Sequence, residues 1–201
     1  MDESYNAAIT LWPATPLPAS VAHELHSVGV DLAAQKVNDG CFAAQRTAEG
    51  AIVLDLSFGD CQHGLTGLEA VLATLRLARI SYVAWDVKKG EIAGTGRAFD
   101  PANGIEREFS VMGDGEPVLT ASDLEEFQGH YRSADALIEG IRAWLRLPTP
   151  EGLSDLADGE LTIVTVPDDT DEDDDRVEIL GEVDGPPGAV LALTSASEGG
   201  R

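Results

Sequence analysis

Along Ala51–Phe58, "AIVLDLSF", the apolar residues Ile52, Leu54 and Leu56 alternate with Val53, Asp55 and Ser57. A period of two over this length predicts a strand with one well-buried face. The period lengthens in "LTGLEAVLATLRLARI", where Leu65, Leu68, Leu72 and Leu75 recur at helical spacing and Val71 joins the same side. A second amphipathic helix is predicted in "SADALIEGIRAWLRL". Ala134, Leu137, Ile138, Ile141 and Leu145 share one side, with Asp135, Glu139 and Arg142 elsewhere. Arg142 and Arg146 near its C-terminal end complement the negative pole of the helix dipole.

The rest of the chain is punctuated by turn residues. "AAITLW" reads as a first strand, ended by "PATPLP". "VAHELHSVG" reads as a helix capped by Ser20 and stopped at Gly29. "VDLAAQKV" and "CFAAQRT" flank "NDG" (Asn38–Gly40), a hairpin signal. "SYVAWDV", "EIAGTGRAF" and "IEREFSVM" follow as strands, and "TASDLEEF" is a short helix with Thr120 or Ser122 at its cap. Val21–Phe58 and Leu68–Met112 thus repeat one α-β-β-β plan at an offset of roughly 50 residues, with little residue identity between the copies. After "LPTPEG" come three strand-like runs, "LTIVTV", "VEILGEV" and "AVLALTS". Helices separated by runs of consecutive strands imply an α+β fold. The expected architecture is an antiparallel sheet of hairpins with two or three helices on one face, plus a small acidic C-terminal β segment. The expected boundaries are residues 1–147 for the core domain and 148–201 for that segment.

Charge changes this picture more than composition does. With 43% hydrophobic residues a core can be built, and with only 5% aromatics Ala, Val, Leu and Ile must fill most of it. The formal charge is −23, from 36 acidic and 13 basic residues. Affinity for nucleic-acid phosphates comes from lysine and arginine releasing counterions, so free DNA and RNA are excluded as ligands. Anionic membrane surfaces are disfavoured for the same reason. More than half of the excess lies after Pro150, and its densest part is Asp168–Asp175, "DDTDEDDD", expected as the loop of a hairpin. The residues expected to meet a partner are Asp168, Asp169, Asp171, Glu172, Asp173, Asp174 and Asp175.

Several motifs resemble functional sites but fit ordinary structural roles better. Counting from Asp171, the acids Asp171, Asp173, Asp175 and Glu182 match part of the calcium-loop spacing. Arg176 stands where the glycine of the sharp turn belongs, and the flanks read as strands, so no metal site is expected. His23 and His26, three apart on the first helix, share a face and read as surface or core-edge residues rather than metal ligands. "GEIAGTGRAF" has neither the order nor the helix start of a phosphate loop. Glu106 and Glu108, and the adjacent Glu125 and Glu126, read as solvated faces rather than an acid–base pair. "GDCQHG" places Cys61 two residues from His63, but its acidic surroundings favour a raised thiol pKa. Cys41 and Cys61 read as reduced thiols, no leader-like or membrane-spanning run is evident, and a cytoplasmic location is expected.

The expectation for function is a non-enzymatic acidic module that needs no cofactor. It binds a basic surface of a partner protein, such as a nucleic-acid-binding protein or nuclease, as a nucleic-acid mimic, inhibitor or immunity-type protein. The alternative is a small cytosolic enzyme with a site near Cys61 and His63.

Overall fold

The computed structural model describes residues 4–13, 16–156 and 161–167, and the backbone of 189–192. In chain order the strands are β1 (Ser4–Trp12), β2 (Leu17–Pro18), β3 (Val30–Asp31), β4 (Lys36–Val37), β5 (Cys41–Arg46), β6 (Ile52–Gln62), β7 (Ser81–Lys88), β8 (Ala93–Asp100), β9 (Ile105–Met112), β10 (Pro117–Val118), β11 (Ser154–Asp155), β12 (Leu161–Val166) and β13 (Ala189–Ala192). The helices are α1 (Ala19–Ser27), α2 (Glu69–Leu77), α3 (Ala121–His130) and α4 (Ala134–Leu145), and a 3₁₀ turn at Gly64–Leu68 leads into α2.

An eight-stranded antiparallel sheet in the order β10-β9-β8-β7-β1-β6-β5-β11 forms the body of the protein. β1 lies at its centre, paired on one side with β6 and on the other with β7. The main sheet is antiparallel as expected, and four helices accompany it. A smaller sheet, β13-β12-β2, is parallel throughout.

Side chains alternate across a strand, so β1 and β7 serve two cores. On one face Ile9, Leu11, Leu54, Leu56, Tyr82 and Ala84 pack with Val21 and Leu25 of α1 and Val71, Leu72 and Leu75 of α2. Leu65, Leu68, Val71, Leu72 and Leu75, the stripe seen in the sequence, are all buried. On the opposite face Val83, Val87, Ala98, Phe109 and Val111 form a smaller cluster, covered in part by Trp144 of α4 and by Leu147. The expectation of helices on a single face is thus corrected: α1 and α2 cover one face and α4 the other, because β7 and β8 bury apolar side chains on both sides.

Three local expectations are corrected. Residues 30–37 do not form one strand; β3 and β4 fold back on each other around a turn in which Asp31 Oδ1 accepts the Ala34 N–H at 2.8 Å. β5 accordingly pairs with β6 and β11, and the Asn38–Gly40 turn does not close the expected hairpin. α1 starts at Ala19 with Pro18 in the cap position, so Ser20 lies within its first turn. Gly29, at φ +88°, does follow the end of α1, where glycine adopts the left-handed backbone at least cost.

The C-terminal residues that are described join the rest of the chain. β11 extends the main sheet at β5, and Leu161 and Ile163 of β12 lie in the larger core. The run 177–183, like Asp168–Asp175, lies outside the described residues.

Candidate functional site

α3 and α4 form a helical hairpin whose caps are written in the sequence. The Thr120 hydroxyl accepts the Asp123 N–H at 3.2 Å, and Asp123 Oδ2 accepts the Thr120 N–H at 2.7 Å, a reciprocal capping box. Ser133 Oγ accepts the Ala136 N–H at 3.2 Å and starts α4 only two residues after Tyr131 ends α3. No side chain of either helix is fully buried. Leu124, Tyr131 and Ile138 stand 39%, 38% and 47% exposed, although α4 has the strongest apolar–polar asymmetry among the described helices.

Three aromatic rings converge between these helices. Phe127 and Tyr131, four residues apart, are near-parallel at a centroid distance of 6.0 Å. Trp144 meets Phe127 edge-on at 6.1 Å and 87°. Gly140 makes room for this arrangement, since a Cβ there would run into the Tyr131 ring. A glycine inside a helix costs about 1 kcal/mol relative to alanine, so a packing reason is needed, and the ring supplies one. Trp144 is held by Arg107, whose guanidinium carbon lies 5.4 Å from the Trp144 ring centre and 5.7 Å from that of Phe109. Arg107 Nη2 donates to the Arg146 carbonyl at 2.8 Å, and burial pushes the Arg107 pKa down.

The rings open onto a cavity of about 250 Å³ lined by Asp123, Glu126, Phe127, His130, Tyr131 and Trp144. His130 is oriented by its Nδ1–H, which donates to the Glu126 carbonyl at 2.9 Å. Asp123 is engaged in the capping box, whereas among the described residues the Glu126 carboxylate has no hydrogen-bond or ion-pair partner. Aromatic faces carry negative electrostatic potential, so rings and carboxylates together favour a cation.

A larger cleft of about 720 Å³ beside Trp12, Asp100, Arg142 and Arg146 is chemically quieter. Arg142 pairs with Glu139 at 2.8 Å, and Arg146 pairs with Glu151. Asp100 is buried and already accepts from Ser81 Oγ, the Ala102 N–H and Asn103 Nδ2. Its charged groups therefore largely satisfy one another.

No protein-family model, curated protein or solved structure matches this chain.

The residues singled out from the sequence that are described do not converge on one site. Asp168, Asp169, Asp171, Glu172, Asp173, Asp174 and Asp175 lie outside the described residues, as does Glu182. His23 and His26 are exposed on α1. Glu106 and Glu108 belong to an ion-pair network, Glu106 with Arg76 at 3.6 Å and Glu108 with Arg97 at 2.8 Å. Glu69 joins both arginines. Burial works to raise its pKa, but hydrogen bonds from Arg97 and Arg76 and their charges hold it below the usual carboxylate range. In the "GTG" of β8, a Cβ on Gly96 would run into the Phe109 ring, so packing rather than phosphate binding accounts for that glycine. Among the described residues no group of three His, Cys, Asp or Glu side chains is placed to hold a metal ion, and no described helix is long and apolar enough to cross a membrane.

Cys41 and Cys61 are free thiols. Cys61 sits near the end of β6, with Sγ 3.5 Å from the Gly64 carbonyl. Burial first, and then the charge of Asp86, push its pKa up, while the bond to Gly64 opposes them. His63 takes a left-handed backbone, φ +65°, at the start of the 3₁₀ turn, and no hydrogen bond links it to the thiol. A thiol held in its protonated form is a poor nucleophile. Iodoacetamide at neutral pH is therefore expected to label the exposed Cys41 several-fold faster than Cys61, as read by peptide mass spectrometry. Faster labelling of Cys61 would contradict this environment.

Sequence reasoning missed the aromatic pocket. Its visible signals were the Phe127/Tyr131 spacing of four and a glycine inside an otherwise good helix.

Proposed function

We propose that this chain is a non-enzymatic binding module for a basic surface of a partner protein, acting as a nucleic-acid-mimicking inhibitor or immunity-type protein in a reducing cytoplasm. The observation that carries the proposal is the pocket between α3 and α4: three aromatic rings and two carboxylates on a helix pair with no fully buried side chain. Aromatic residues in such settings anchor interfaces, and Leu124 and Ile138 of the same helix pair are exposed as well. The formal charge of −23 supplies a field that draws in cationic surfaces and repels nucleic acid itself. The raised Cys61 pKa argues against the alternative enzymatic site near Cys61 and His63.

The test is capture by the immobilised full chain, followed by identification of what it retains. Basic proteins with nucleic-acid-binding surfaces are expected to bind at low ionic strength and to elute as salt rises toward 1 M, where the screening length is about 3 Å. A purified captured protein should then lose its nucleic-acid binding in the presence of the chain. Retention of acidic or neutral proteins only, with no salt dependence, would overturn the proposal.

A further inference from the structure

We propose that the pocket formed by Phe127, Tyr131 and Trp144 receives an arginine side chain of the partner, with its guanidinium against the rings and its N–H donors toward Glu126. This rests on the basic-partner reading and names the contact that would anchor it.

Size, charge and shape converge on this occupant. The cavity of about 250 Å³ lies below the roughly 300–1,000 Å³ of small-molecule sites and suits a single long side chain. Asp123 and Glu126 border it, so an anion is repelled. A neutral apolar group would strip water from the carboxylates and return nothing. Phe127 and Trp144 stand at 87° to each other. A flat guanidinium stacks on one wall of such a corner and still presents its N–H edge to a carboxylate. The compact ammonium of lysine is more strongly hydrated and gives up more on entering. The chain already uses the same chemistry internally, because the Arg107 guanidinium lies 5.4 Å from the centre of the Trp144 ring. Asp123 is committed to the capping box, whereas the Glu126 carboxylate, without a partner among the described residues, is left to accept the guanidinium N–H groups.

The experiment titrates the full chain with a capped Gly-Arg-Gly peptide and with its citrulline, lysine and trimethyllysine counterparts, following the Trp144 indole N–H by NMR. The arginine peptide is expected to give saturable shifts centred on Trp144 and Tyr131. Citrulline, equal in shape but uncharged, should bind about 5- to 30-fold more weakly. Glu126→Gln, at an exposed position, should weaken arginine binding several-fold and leave the rest of the spectrum unchanged. Equal binding of citrulline, tighter binding of trimethyllysine, or shifts that never saturate would each overturn the proposal; the trimethyllysine outcome would reassign the pocket to alkylated ammonium groups. Capture of basic proteins distinguishes this failure from failure of the broader reading. Capture that is undiminished in a Tyr131→Ala, Glu126→Gln double variant overturns the pocket as the anchor and leaves the basic-partner reading standing. Absence of capture by the unaltered chain at low salt overturns that reading, and the pocket's role as a partner anchor with it.

Discussion

Replacing the buried Asp86 with alanine is expected to lower the stability of the protein by about 2–4 kcal/mol. Asp86 lies in β7 on the face that meets α1 and α2, and it is buried. Its Oδ2 accepts the Leu65 N–H at 2.7 Å, and its Oδ1 lies 3.4 Å from the Thr95 N–H of β8. Leu65 is the second residue of the 3₁₀ turn that leads into α2, and the first N–H groups of a helix have no partner within it. Leu65 is itself buried, so water cannot replace the carboxylate. A buried donor left unpaired costs about 1–3 kcal/mol, and hydrogen bonds to a charged acceptor lie toward the upper end. Loosening the Leu65 turn also disturbs the packing of Leu68 and α2 on the sheet. Asp86→Asn keeps an acceptor oxygen and should lose roughly half as much. Urea unfolding of the three proteins measures this. An unfolding free energy for the alanine variant within about 1 kcal/mol of that of the unaltered chain would show that the bond to Leu65 does not hold the turn.

The contrast between Asp86 and the elements around it shows what a single chain reveals. α2, α4 and β6 were legible because their signal is local: Leu65, Leu68, Val71, Leu72 and Leu75 repeat within eleven residues, and Ile52, Leu54 and Leu56 alternate within five. The antiparallel class of the main sheet was legible from the runs of consecutive strands. Residues 30–37 misled because Val30 and Leu32 have strand parity but Val37 does not, and all three are buried. That break in parity marks the turn between β3 and β4. Asp86 was invisible as a cap because its partner lies 21 residues away, and one carboxylate among 36 carries no distinguishing pattern. The pocket was missed for a related reason. Phe127 and Tyr131 are a local pair, but Trp144 joins them only through the α3–α4 turn and the space left at Gly140. The parallel pairing of β12 with β2 and β13 depends on contacts across most of the chain, and local periodicity does not encode it.

Replacing the seven acids of Asp168–Asp175 with serine and asparagine is expected to slow association with a basic partner by about tenfold or more at low salt. These residues lie outside the described part of the structure, so the expectation rests on their charge. They supply seven of the chain's 36 carboxylates in eight consecutive positions. An exposed ion pair contributes only roughly 0–1 kcal/mol once formed, so dissociation should change little. Before contact the same charges act together as a field. That field sets how often the partner arrives, and it decays over about 8–10 Å at ordinary ionic strength. The deficit of the variant should therefore shrink as salt rises, while its circular dichroism matches that of the unaltered chain. Stopped-flow association measured across a salt series, with a partner obtained by capture, decides the matter. An association rate unchanged at low salt would rule out steering by this stretch. Calorimetry showing micromolar calcium binding that disappears in the same variant would instead assign Asp171, Asp173, Asp175 and Glu182 to a metal loop despite Arg176 at the position of its turn glycine.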